Sequence, residues 1–237
     1  MKYPENTIQY FEEVWWVHDE KKRIQPGRLV WAYMPYIHHV PWTLVVHGRG
    51  DDPTDHTKVR FSIKPLKLTT PRDRQMLPAA AFPLGDQEIV LTWRAKRRPG
   101  LVIYAGEEHA SPLVARLARW QKVPTAIIVP YFGASQENRA GFPKEFVERV
   151  KAAEYPNFYW DKLPISNREK EGSICKLDFA FPFGKHHDSL ECTSYRLSAD
   201  ALTIIHEWMR WLFSGYMDPN GFLKLYRDEL LEMKQKT

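Results

Sequence analysis

Residues 85–104 read GDQEIVLTWRAKRRPGLVIY, and this stretch decides the fold. Gly85 and Asp86 punctuate its start, and Glu88–Trp93 is an apolar, β-branched run. A basic interruption follows, Arg94, Lys96, Arg97 and Arg98, before Leu101–Tyr104 turns apolar and branched again. Two β-prone runs separated by polar residues and Pro-Gly spell strand, loop, strand. The four cations therefore crowd into one short loop between strands, where they form a basic patch.

The neighbouring segments extend this into a sheet. Thr125–Tyr131 is a further apolar strand. Across Gly172–Phe183, residues Cys175, Leu177, Phe179, Phe181 and Phe183 alternate with Lys176 and Asp178, the period of a strand with one buried face. Two helices read as insertions between strands of one sheet. Ser111-Pro112 offers an N-cap and a first-turn proline to LVARLARW, and Pro143–Ala153 puts Phe146, Val147 and Val150 on one side. Ser198 caps a longer helix that ends at Gly215, with Leu202, Ile205, Met209 and Leu212 at spacings of three and four. Pro219 opens a last amphipathic helix carrying Leu223, Tyr226, Leu230 and Met233 on one face.

Upstream, Thr7–Val17 fits either a short helix or a strand. Arg28–Met34 and Trp42–His47 read as strands, and Lys58–Lys64 alternates Val59, Phe61 and Ile63 against Lys58, Arg60 and Lys64. The proline-rich stretch Pro65–Pro83 is the best boundary in the chain. The expected layout is a β-rich N-terminal extension over residues 1–75 packed on the main domain, that domain over 84–215 with its terminal helix, and a C-terminal helix over 218–237.

Composition narrows the class. The 237 residues are 43% hydrophobic and 27% charged, which excludes a disordered chain. The net charge of +5 permits a polyanionic partner without demanding one. Nine tryptophans and 14% aromatic residues supply a core and also surfaces on which bases stack. Cys175 and Cys192 have no metal-ligand spacing and read as reduced thiols. The opening MKYPENTIQYFEEVWW carries early acids and no apolar core, so it does not read as a secretory leader, and no apolar run is long enough to span a bilayer; a cytoplasmic protein without a membrane partner is expected. Adjacent histidines on a strand, such as His38-His39 and His186-His187, would point to opposite faces, so no metal or other cofactor is expected.

From Gly85 onward the order of motifs resembles the MazF/PemK family of toxin endoribonucleases. The opening Gly-Asp and strand QEIVLTW resemble the family's start, and Arg97–Ile103 (RRPGLVI) resembles its RRPALVI signature, the most specific match. Ala126–Pro130 (AIIVP) resembles its third strand, Ser173–Asp178 (SICKLD) a later one, and the capped helix sits where the family has its closing helix. The likeness covers more than half of the chain, with insertions after Tyr104, Gln136 and Lys185. It implies an α+β fold: a strongly bent, antiparallel, SH3-like β-barrel with helical insertions and a C-terminal helix pair, here with a β-rich N-terminal extension. It also implies metal-independent cleavage of single-stranded RNA through the 2′-hydroxyl by a homodimer that a small antitoxin protein neutralises. A non-catalytic module on the same fold, binding nucleic acid or a protein such as gyrase, is the alternative, and a purely structural interaction module a third.

Such cleavage needs a base for the 2′-hydroxyl, an acid for the leaving oxygen and a cation for the phosphorane. By the resemblance Arg98 supplies the cation, and its planar fork suits two phosphate oxygens. The family's hydroxyl after the third strand is altered here: in VPYFGASQ either Phe132-Gly133 or Ser135-Gln136 takes its place, with Ser135 preferred. The acidic residue and glutamine that relatives carry before the signature arginine are missing. Asp178 matches the family's carboxylate and either orients Arg98 or accepts a proton. His187 or His186, just past that strand, is a proton-transfer candidate because imidazole titrates near neutrality. Catalytic candidates are thus Arg98, Ser135, Asp178 and His187. The RNA-binding candidates are Arg94, Lys96, Arg97, Phe132, Gln136, Lys185 and His186.

Overall fold

The computed structural model describes residues 2–48, 52, 58, 60–67, 88–106, 125–134, 141–165, 172–185 and 190–235. The expected helix LVARLARW lies outside these residues. The chain divides into two units, one of residues 1–34 with 97–237 and one of residues 35–96. The division thus falls elsewhere than at the proline-rich stretch. The first 34 residues join the larger unit because they supply it with two strands, a backbone pairing that no local composition reports.

Those strands are β1 (Trp16–His18) and β2 (Arg28–Pro35). The smaller unit holds β3 (Trp42–Gly48), β4 (Arg60–Pro65) and β5 (Leu91–Thr92) in the order β4-β3-β5. The larger continues with β6 (Ala95–Ala105), β7 (Thr125–Gly133), β8 (Phe158–Asp161), β9 (Ser173–Lys176), β10 (Phe181–Gly184) and β11 (Leu190–Leu197). Its eight strands run β1-β11-β2-β6-β7-β9-β8, with β10 also paired to β7. The result is a mixed α+β protein built on a strongly curled antiparallel half-barrel.

The curl is made at β7. Its first half pairs with β6 and β10, Ile128 lying opposite both Val102 and Phe181. Its second half pairs with β9, Tyr131 opposite Cys175. Only Val129 and Pro130 separate those registers on β7, while residues 176–180 intervene on the partner. Pro130, which has no N–H to offer a ladder, sits at this break. The surplus residues form a 3-10 turn, Leu177–Phe179. The single strand expected over Gly172–Phe183 is therefore two strands, and Asp178 lies in the turn between them. An extra chain length on one strand bends a sheet, as a bulge does.

Both faces of the curled sheet carry buried apolar clusters. On one, Leu29, Leu101, Val129, Tyr131 and Leu197 pack against Ala201, Ile204, Ile205 and Trp208 of α2 (Ala199–Ser214). On the other, Val30, Met34, Val102, Ile128 and Phe183 form a second core. A third, with Trp160 and Ile174, lies under α1 (Lys144–Lys151), which buries Val150 and rests Phe146 and Val147 there as its periodicity predicts. Each fully buried large side chain of this kind contributes about 1.5–3 kcal/mol. α2 is bounded by local chemistry: the Ser198 hydroxyl accepts from the Ala201 N–H at 3.1 Å, and Gly215 closes the helix in the left-handed region. α3 (Phe222–Gln235) starts later than Pro219 because Asp218–Gly221 form a turn, with the Asp218 carboxylate accepting from the Asn220 N–H. The Glu207 carboxylate then accepts from the Leu223 N–H at 2.8 Å and caps the helix from outside it. No described helix is long and apolar enough to cross a membrane.

Candidate nucleic-acid interface

Most of the basic run lies in a strand, and only Arg94 falls between strands. β6 begins at Ala95, so Arg97 and Arg98 are strand residues and alternate in direction. Arg97 stacks over the Trp31 ring at 4.7 Å and pairs with Glu191 at 2.5 Å, making a row across β6, β2 and β11. Arg98 turns the other way and lies over the Phe132 ring at 4.4 Å. Arg94 and Lys96 belong to the smaller unit, where Arg94 sits over the Tyr36 ring at 5.9 Å. Within the larger unit Arg97 and Arg98 therefore take opposite faces, and of the two Arg98 enters the site described next. The sequence could not show this because it gives the density of charge and not the faces of a strand whose start lies two residues past the apolar run.

Around Arg98 the structure gathers further expected residues. Phe132 meets Phe179 edge to face at 6.3 Å, and the Lys176 ammonium lies 3.5 Å from the Phe179 ring centre. Lys176 stands opposite Phe158 in the β8–β9 register and approaches that ring at 5.6 Å. One face of the curled sheet therefore carries a continuous row: Arg98, Phe132, Phe179, Lys176, Phe158. Asp178 flanks it, 3.7 Å from the Lys176 ammonium, and accepts from the Asn157 amide at 3.5 Å. Two cations and three half-buried rings along a sheet, with a carboxylate at one side, can hold a phosphodiester strand by charge and its bases by stacking.

Lys176 was not among the residues expected here, because its alternation marked only a solvent face. Lys185 is displaced from the expectation in another way: its ammonium donates to the Gly106 carbonyl at 3.0 Å and so ties β10 to the end of β6. Ser135, Gln136, His186 and His187 lie outside the described residues. His38 and His39 occupy a turn, not a strand, and their rings meet at 4.3 Å beside Tyr36, so the premise of opposite faces fails there. No cluster of three or more metal-ligating side chains occurs among the described residues.

A second polar constellation lies in the core and carried no signal in the sequence. Asp161, at the end of β8, is 0% exposed. Its carboxylate accepts from the Tyr159 hydroxyl, from the Tyr131 hydroxyl at 3.1 Å and from the Trp16 indole at 3.2 Å. The Trp15 indole in turn donates to the Tyr159 oxygen at 3.1 Å, and Gln9 donates to the Trp160 carbonyl. Burial pushes the Asp161 carboxyl up to about 6, opposed by the hydrogen bonds it accepts. The same burial raises Tyr3, Tyr131, Tyr159 and Cys175 well above their ordinary values, with the nearby carboxylate adding to each. The cluster ties the N-terminal segment to β7 and β8, and its place is architectural.

No family model, curated protein or solved structure matches the chain.

Proposed function

We propose that this chain binds single-stranded RNA along the Arg98–Phe132–Phe179–Lys176 row and cleaves it as a MazF/PemK-like endoribonuclease on an SH3-like barrel. The observation that carries the reading is the placement of the signature arginine against an aromatic ring at the mouth of a second cation–aromatic pair. A guanidinium there can take two phosphate oxygens and stabilise the charge of a phosphorane, while the rings accept unpaired bases. Ser135 would steady the phosphate, and Asp178 or a histidine following β10 would move the proton. A homodimer and a neutralising small protein belong to the same reading.

The ion pair between Asp178 and Lys176 favours a second reading, in which the row binds RNA without cutting it. Asp178 is already engaged by the Lys176 ammonium and the Asn157 amide, contacts that suit a carboxylate holding its neighbours in place.

Labelled single-stranded RNA in EDTA separates these. Wild-type protein should bind it and release shorter products, and Arg98→Ala should abolish the products and weaken binding about tenfold or more. Binding without products points to the second reading. Absence of binding at low salt defeats both.

A further inference from the structure

Lys176 differs from the other lysines that the structure places near carboxylates. Lys151, Lys224 and Lys234 each make a close hydrogen bond to a carboxylate oxygen. Lys176 makes none to any described residue, and its nearest ion-pair oxygen, on Asp178, is 3.7 Å away. Yet its side chain is only 23% exposed, held between the Phe179 and Phe158 rings. A lysine side chain mostly out of water, whose ammonium makes no hydrogen bond to a described residue, lacks what an anion's oxygens would supply. The rings attract its charge but accept no strong hydrogen bond. Asp178, the one carboxylate within 4 Å of it among the described residues, is held to one side by the Asn157 amide.

We infer that Lys176 is a second phosphate-binding residue, taking a phosphodiester further along the strand from the one at Arg98. This rests on the RNA-binding reading of the row and adds a residue to it. The chain of contacts Arg98–Phe132–Phe179–Lys176 brings the two cations within reach of one short stretch of strand, with two rings between them to receive the intervening bases. Asp178 then acts as a counter-charge that the incoming phosphate displaces, so the free protein is not left with an unneutralised ammonium.

The test is the salt dependence of binding, read by fluorescence anisotropy with a labelled mixed-sequence single-stranded RNA between 50 and 200 mM salt. Each phosphate neutralised on a single strand contributes about 0.7 to the slope of log affinity against log salt. Lys176→Met keeps the stem that packs on Phe179 and removes the charge, so its slope should be shallower by about 0.7 and its affinity several-fold lower. Lys176→Gln should show the same loss of slope, which guards against a packing defect in either variant, and Lys176→Arg should retain the wild-type slope. Asp178→Asn should bind more tightly than wild type. Unchanged slopes in the Met and Gln variants, in a protein whose binding falls with Arg98→Ala, would overturn the role of Lys176 and leave the RNA reading standing. Wild-type protein that binds no RNA at 50 mM salt would overturn both.

Discussion

The buried carboxylate of Asp161 makes stability depend on pH in a direction opposite to that of most paired carboxylates. An aspartate ordinarily titrates at 3.8, and here burial raises it to about 6. Below 3.8 the carboxyl is neutral in both folded and unfolded chains. Between 3.8 and 6 the unfolded chain gives up its proton while the folded one keeps it, so folding becomes less favourable by about 1.4 kcal/mol per pH unit. Above 6 both are ionised and the loss levels off at about 3 kcal/mol, from the interval between the two values. Replacing Asp161 with Asn removes the titration while keeping the size of the side chain. Urea unfolding of wild type and Asp161→Asn, followed by tryptophan fluorescence from pH 4 to 7.5, isolates this group because other titrations cancel in the difference. Relative to the variant, wild type should lose stability steadily between about pH 4 and 6 and stay constant above. A difference that does not change across that window would refute the claim that desolvation outweighs the hydroxyl and indole donors around the carboxylate.

Two further substitutions test the packing that positions the site. At Gly172 an added methyl would lie 2.1 Å from the Trp160 indole, whose ring is fixed in the core under α1, so Gly172→Ala should cost about 1–3 kcal/mol in urea unfolding. Ser198→Ala removes the cap of α2 and should cost about 1 kcal/mol by the same measurement.

What the sequence determined by itself is local. Ser198 and Gly215 bound α2 because a hydroxyl cap and a left-handed glycine act on neighbouring amides. The three-four spacing of Phe146, Val147 and Val150 selects the buried face of α1. The apolar runs at Arg28–Met34 and Thr125–Tyr131 became strands because branched and aromatic residues suit a pleated surface. Arg98, Phe132 and Asp178 stand out in local motifs, and the fold places them along one row of the curled sheet.

Tertiary structure decided what depends on pairing between distant residues. Alternation continues without interruption through Leu177–Phe179, and the turn there arises only from the different lengths of chain facing β7 on either side of Pro130. Which of two consecutive arginines faces Phe132 and which faces Glu191 is a matter of strand register, invisible in a run of like charges. Lys176 gains its character from rings contributed by β8 and the turn after β9, and Asp161 from donors on β1, β7 and β8. A side chain's charge is written in the sequence, but the water it loses and the partners it meets are set by the fold, and those govern whether it binds, titrates or holds the core together.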